Sequence, residues 1–238
     1  MAYTTIDDPS AHFQIALWTG NGSSGTAVTN DGNSNLQPDL LWGKIRDDNA
    51  DQNRNHWLID STRGINKAVG ANTTSSEETN SGYLNSFDSD GFTLGNDGNS
   101  NDSGDLVVGW QWKANGGTTT DGSSSDSVST SNYQANTTAG FSIVTYTGNG
   151  TAGATVAHGL GAIPNWIIVK DRDASKNWVN YHQSLGNDRS ITLNTSDAQS
   201  ASTDHWHNNT PTSSVFYLGD YSHVNRNSDK FVAYCWAP

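Results

Sequence analysis

Five blocks of residues recur in the same order in the two halves of this sequence. A chain with such an internal repeat has to fold as something that can be built twice. Phe13-Gln-Ile-Ala-Leu-Trp-Thr-Gly-Asn-Gly22 returns as Phe141-Ser-Ile-Val-Thr-Tyr-Thr-Gly-Asn-Gly150, and Pro38-Asp-Leu-Leu-Trp-Gly-Lys-Ile-Arg-Asp47 returns as Pro164-Asn-Trp-Ile-Ile-Val-Lys-Asp-Arg-Asp173. The segment around Trp57 echoes that around Trp178, and Phe92-Thr-Leu-Gly95 matches Phe216-Tyr-Leu-Gly219. Val107-Val-Gly-Trp110 with Trp112 matches Phe231-Val-Ala-Tyr234 with Trp236. The reading is two homologous domains, residues 13–114 and 140–238. An N-terminal arm, residues 1–12, precedes them, and a Ser/Thr/Gly-rich linker, residues 115–139, joins them. A segment of that composition buries too little apolar surface to fold alone, so any order in it comes from a neighbouring surface.

Within each copy the periodicity is that of strands. Phe13, Ile15 and Leu17 alternate with Gln14, Ala16 and Trp18, and the block from Phe141 repeats the pattern; period two places alternate side chains on opposite faces of a sheet. Asn-Gly within residues 20–22 and 148–150 predicts hairpin tips, because a tight hairpin needs positive φ there. The unbroken apolar runs 40–45 and 166–169 predict strands buried on both faces. No stretch carries a helical apolar stripe, which leaves short helical turns near 60–67 or 204–208. The expected fold class is all-β: two tandem β-sandwiches with jelly-roll-like connections.

Composition decides whether such a chain orders at all. Hydrophobic residues make up 33%, low beside the roughly 45–50% usual for globular chains. Nine Trp, eight Tyr and six Phe offset this, since each aromatic buries about 150–250 Å² and a few can hold a thin core. The net charge of −12 argues against nucleic-acid or anionic-membrane partners, which demand basic patches. Cys235 is the single cysteine, so stability comes from packing or from assembly rather than disulfides. The start of the chain lacks a basic stretch followed by an apolar one, which reads as no secretory signal and folding in a cytoplasm. The Asn-x-Ser/Thr triplets are then by-products of composition.

Candidate chemistry is sparse. Glu77 and Glu78 read as a solvated loop, and Asp60 has no acidic counterpart in the second copy, where Tyr181 or His182 stands. A catalytic acid/base pair needs two carboxylates in one cleft, and the sequence singles out none. His205-Trp-His207, with His182 or His223, is a weak zinc pattern lacking a third ligand at fixed spacing. The Asp97–Asp105 loop is rich in oxygen ligands but has Asp102 where a calcium loop needs glycine and Val108 where it needs glutamate. Cys235 sits on an alternating apolar strand and reads as a small buried hydrophobe. No catalytic, cofactor-binding or metal-binding residue is expected, and no cofactor. The matched tryptophans Trp57, Trp178, Trp110, Trp112 and Trp236 read as core. Trp18 and Trp206 have no tryptophan counterpart, and with Tyr221 they are the candidates for contact with a glycan or a neighbouring subunit.

The blocks also carry a resemblance. Ala2-Tyr-Thr-Thr-Ile-Asp-Asp-Pro9, residues 13–22, Leu36-Gln-Pro-Asp39, Asp60-Ser-Thr-Arg-Gly64 and Ser86-Phe-Asp-Ser-Asp-Gly-Phe92 resemble the opening of virion proteins from marine tailed bacteriophages. Ala139-Gly-Phe-Ser-Ile-Val-Thr-Tyr-Thr-Gly148, His158-Gly-Leu-Gly161, Pro211-Thr-Ser-Ser-Val-Phe216 and Val232-Ala-Tyr-Cys-Trp236 look like the same repeat domain. The resemblance covers nearly the whole chain and implies a non-enzymatic tail-fibre-like or other surface-appendage protein, assembled as a homo-oligomer and located in the virion. Its partners would be copies of itself, other virion proteins and a host-surface glycan. Relatives of that kind continue into further domains after the second repeat, which makes a capsid-decoration or adaptor role the alternative, beside a carbohydrate-binding module.

Overall fold

The computed structural model describes residues 6–47, 54–123, 126–128 and 130–238; residues 1–5 of the expected arm lie outside them. The chain divides into two compact units, one of residues 1–71 and 77–117, the other of residues 72–76 and 118–238. Among the described residues no helix is long and apolar enough to cross a membrane.

The first unit opens with a single 3₁₀ turn, Pro9–Ala11, capped by the Asp8 carboxylate on the Ser10 amide. Its strands are β1 (Phe13–Thr19), β2 (Thr26–Val28), β3 (Leu40–Asp47), β4 (Trp57–Asp60), β5 (Lys67–Val69), β6 (Glu78–Thr79), β7 (Leu84–Asp88) and β8 (Gly91–Leu94). A one-turn helix, α1 (Gly98–Asn101), and β9 (Leu106–Trp112) complete it. One sheet runs β1-β9-β3-β4-β5-β6 and the other β2-β8-β7. Ala16, Leu41, Trp57, Ile59 and Ala68 from the large sheet pack on Val28, Leu84, Phe92 and Leu94 from the small one. Two sheets sharing one apolar layer make a sandwich.

The second unit repeats this plan with β10 (Thr120–Asp121), β11 (Thr130–Asn136), β12 (Phe141–Thr147), β13 (Ala154–Ala157), β14 (Trp166–Asp171), β15 (Val179–His182), β16 (Arg189–Thr192), β17 (Ser200–Ala201), β18 (Val215–Leu218), α2 (Ser222–Asn225) and β19 (Lys230–Trp236). Its large sheet runs β10-β11-β12-β19-β14-β15-β16-β17, and β13 pairs with β18 in the small one. Val144, Tyr146, Ile167, Val169, Val179 and Tyr181 face Val156, Phe216 and Leu218 across the core. The fold is all-β, as the periodicity predicts.

The sequence repeat survives in the ladders. Phe13 and Leu40 flank Trp112 on β9, and Phe141 and Trp166 flank Trp236 on β19. Val28 pairs with Phe92 as Val156 pairs with Phe216. The tryptophan match is the exception. Gly43 pairs with Trp57, whereas its counterpart Val169 pairs with Val179. The equivalent of Trp57 is therefore Val179, and Trp178, one residue earlier, takes the opposite face, stacked on Tyr234 with ring centroids 6.4 Å apart. A one-residue offset in a strand reverses the face.

Two expectations are corrected. The Asn-Gly turns at 20–22 and 148–150 are not hairpins: β1 pairs with β9 and β2 with β8, so each turn carries the chain from one sheet to the other. Gly22 and Gly150 do have positive φ, 71° and 67°. Residues 115–139 are not simply a linker, because β11 lies in them and pairs with β12 along its whole length. The ordering surface is the sheet edge of the second domain itself. The helical turns expected near 60–67 or 204–208 are present as single hydrogen-bonded turns, the Gly64 amide on the Asp60 carbonyl at 2.9 Å and the His207 amide on the Thr203 carbonyl at 2.7 Å, and the short helices α1 and α2 are additional.

Candidate interaction surfaces

The two sandwiches differ at one edge. In the second unit β12 is covered on its outer side by β11, from Phe141 opposite Asn136 to Thr147 opposite Thr130. In the first unit the corresponding edge strand is β1, and among the described residues no strand pairs with its outer side. The carbonyl of His12 accepts the Lys113 amide at 3.0 Å, and the Gly20 amide donates to the Asp105 carbonyl at 2.8 Å. Even-numbered residues of β1 therefore bond to β9, and antiparallel alternation turns the amides and carbonyls of Phe13, Ile15, Leu17 and Thr19 outward. Ile15 is 49% and Leu17 62% exposed. Ile15, Ala16 and Leu17 also line a hollow of about 190 Å³ with residues 29–31.

The residues singled out for glycan or subunit contact are placed as follows. Trp206 is buried, its ring edge-on to Tyr181 at 5.8 Å, and its indole N–H has no hydrogen-bond partner among the described residues. It is a core residue and presents nothing to a ligand, because the second sandwich closes over it. Trp18 is half-buried, donates its indole N–H to the Ser100 carbonyl at 2.9 Å and meets Phe92 edge-on. Tyr221 is exposed, with His205 at 4.6 Å and His223 at 4.5 Å between ring centroids. Trp18 belongs to the first unit and the other two to the second, so neither unit assembles them into one site.

Burial, helped by Lys176, His205 and Lys170, pulls the His223 imidazole down to about 4. Burial lowers His205 as well, against the pull of Asp204. The His207 ring lies against Gly153. Among the described residues no group of three or more His, Cys, Asp or Glu stands where it could hold a metal ion.

Several acidic side chains are taken up by the fold. Buried Asp60 forms an ion pair with Arg63 Nε at 2.5 Å, and Arg63 reaches Glu77 at 3.0 Å, so Glu77 is an ion-pair partner of a buried guanidinium rather than a solvated loop residue. Buried Asp39 accepts the amides of Ala114, Gly116 and Gly117 at 2.7–2.9 Å and the Ser61 hydroxyl at 2.6 Å. In the oxygen-rich loop, Asp97 caps α1 and accepts the Asn80 amide, and Asp102 pairs with Arg54 at 2.8 Å. Lys170 is fully buried and donates to the carbonyls of Asp171, Lys176, Thr74 and Ala174 at 2.9–3.4 Å. Burial pulls its ammonium down to about 8, against the opposing pull of Asp171. Cys235 is buried, and burial pushes its thiol up to about 12.

One family matches this chain, over residues 8–238: a domain of unknown function, DUF7483. The chain belongs to the DUF7483 family. No curated protein and no solved structure matches it.

The DUF7483 chain has a pair of residues that the sequence reading missed. Asn101 and Asn225, the last residues of α1 and α2, are both fully buried. The Asn101 amide donates to the carbonyls of Ser23 and Gly95, both at 2.8 Å, and its oxygen accepts the Asn21 amide at 3.0 Å. Asn225 does the same with Thr151, Gly219 and Asn149. Each staples the sheet-switching turn to the end of the small sheet. The signal was present as Gly-x5-Asn in both copies, Gly95 to Asn101 and Gly219 to Asn225.

A groove of about 470 Å³ in the second unit is lined by Trp166, Asn180, His182, Leu185, Ile191, Thr192 and Leu193. Trp166 stacks on Trp236 at 4.5 Å. The Asn180 side chain is already engaged, accepting from the Trp166 indole and donating to the Ile191 carbonyl.

Proposed function

We propose that this chain is a non-enzymatic bacteriophage virion protein, a tail-fibre-like or other surface-appendage component that assembles as a homo-oligomer. The observation that carries the structural part is the use made of its ionisable groups. Asp39, Asp60, Arg63 and Lys170 are buried and bonded to the chain's own backbone and side chains, an arrangement that fixes loops rather than poising a reactive group. The resemblance of both repeats to marine phage virion proteins supports the location.

Cryo-EM of virions carrying this gene product, with its presence checked by mass spectrometry, tests the reading. Density for the chain on the tail or another appendage is the expected result. Density on the capsid lattice moves it to a decoration protein, and absence from purified virions overturns the proposal.

A carbohydrate-binding role has one observation in its favour, the Trp166 platform beside the 470 Å³ groove. Stacking on a ring face also needs polar groups aimed at the sugar hydroxyls, and the Asn180 amide there is occupied. Binding to host-surface polysaccharide that is lost in Trp166→Ala would favour this second reading.

A further inference from the structure

We infer that β1 is a docking edge for β1 of a second copy, the two strands running antiparallel about a two-fold axis at Ala16. The inference rests on the proposed self-assembly and names the surface that performs it.

The fold supplies its own template. The edge of β12 is closed by β11, and the equivalent edge of β1 is open among the described residues. Open edges are ordinarily protected by charge, proline or a bulge. Phe-Gln-Ile-Ala-Leu-Trp-Thr has neither charge nor proline, and its pairing with β9 runs without a register shift. From Pro9 to Asn30 the sequence contains no Asp, Glu, Lys or Arg, in a chain of net charge −12, and Asp31 is the one charged residue lining the hollow beside β1. Acidic copies repel one another, so an uncharged strand is where they approach at least electrostatic cost. This favours a second copy over a basic partner, which would seek the acidic surface elsewhere.

The strand is also complementary to itself. Pairing about Ala16 sets Phe13 opposite Thr19 of the other copy and Ile15 opposite Leu17. These are the residues whose amides and carbonyls face outward, so the whole strand length forms a ladder. Ile15 already lies in a cross-strand row with Trp110 and Trp42, whose rings meet at 6.3 Å. Leu17 of the second copy would extend that row and cover the two most exposed large apolar side chains of the described residues. A two-fold pairing of this kind is isologous and closes on itself. It buries little area beside the roughly 1,200–2,000 Å² of a standard interface, so the association is reversible and concentration-dependent.

Sedimentation velocity on the full chain tests this with Ile15→Lys, Leu17→Asp and the double variant, all at exposed positions and checked for folding by circular dichroism. The wild type should self-associate. Each single variant sets a charge against an apolar side chain and should weaken association at least tenfold. The double variant sets the introduced lysine of one copy opposite the introduced aspartate of the other, on both sides of the axis, and should recover most of the loss. Association indifferent to all three variants overturns the β1 edge and leaves self-assembly standing. Single variants that weaken association without rescue overturn the register. A wild type monomeric at every concentration overturns both the edge and the homo-oligomer.

Discussion

Gly43 lies directly across the β3–β4 ladder from Trp57, and a Cβ at Gly43 would overlap the Trp57 ring. The same rung of the second unit holds Val169 opposite Val179. The two copies fill one volume in two ways: nothing plus a large ring, or two medium side chains.

That exchange predicts a compensating pair. Gly43→Val alone should cost about 1–3 kcal/mol or more by overpacking. Trp57→Val alone should cost about 3–5 kcal/mol by leaving a cavity and by orphaning the Asn99 carbonyl that the indole N–H now satisfies at 2.9 Å. The double variant should be more stable than the sum of the two losses by about 1–3 kcal/mol, the coupling of residues in contact. Urea unfolding of the four proteins measures it, and strict additivity would mean the two side chains do not share this space.

Asn101→Ala and Asn225→Ala should each cost about 3 kcal/mol, because the buried carbonyl of Gly95 or Gly219 loses its partner at roughly 1–3 kcal/mol and the bonds to the turn, Ser23 and Asn21 or Thr151 and Asn149, go with it. Asn101→Asp should be nearly as damaging, since a carboxylate cannot donate to Ser23 and Gly95. Thermal melts check both. A variant within about 0.5 kcal/mol of wild type, the range of ordinary surface changes, would show that the turn is held by other contacts.

How much of this was legible follows from what each signal depends on. The strands at Phe13 and Phe141 were readable because alternation is local. The buried runs at Leu40 and Trp166 were readable because both belong to central strands with neighbours on each side. The Trp57–Trp178 match misled because similarity of type carries no register, and register is set by the partner strand. The 20–22 and 148–150 turns looked like hairpins because Asn-Gly reports positive φ, not which sheet the next strand joins. The strand at 130–136 was hidden by its composition: Thr-Ser-Asn-Tyr-Gln-Ala-Asn is ordered by pairing with β12 rather than by its own apolar content. Trp206 read as exposed because it has no tryptophan counterpart, yet an unmatched aromatic can fill a gap peculiar to one copy. The open edge of β1 could not be read at all, since it depends on which strand is missing beside it.

Lys170 offers a prediction with two readouts. Lys170→Met removes the donor to four carbonyls and should cost about 2 kcal/mol, the orphaned acceptors outweighing relief of the buried charge. The ammonium titrates at about 8 in the folded chain against an ordinary 10.5. For a base whose folded value is lowered, the unfolded chain holds more protons in that window. Stability therefore rises with pH from about 8 towards 9. Above that Cys235, pushed by burial to about 12 from 9.0, and then the buried tyrosines Tyr83, Tyr146 and Tyr181, all raised by burial, act the other way. The rise should be present in wild type and absent in Lys170→Met, as read from unfolding midpoints at pH 8, 8.5 and 9.

Acid should destabilise the chain through its histidines. Burial first, then Lys176, His205 and Lys170, lowers His223 to about 4 from 6.5, and burial lowers His205, His158 and His56 in the same direction. As pH falls through 6.5 the unfolded chain takes up these protons before the folded one does, so stability drops between 6.5 and about 4. Asp171 and Asp126, raised by burial, take their protons in the folded chain first and oppose the drop nearer their own range. The histidine effect is therefore cleanest between about pH 6.5 and 5. His223→Gln keeps a neutral polar group beside Tyr221 and should flatten the fall in unfolding midpoint over that interval, with little change at pH 7.5. A fall of the same steepness in His223→Gln would assign the acid sensitivity to the other three histidines and remove His223 from this account.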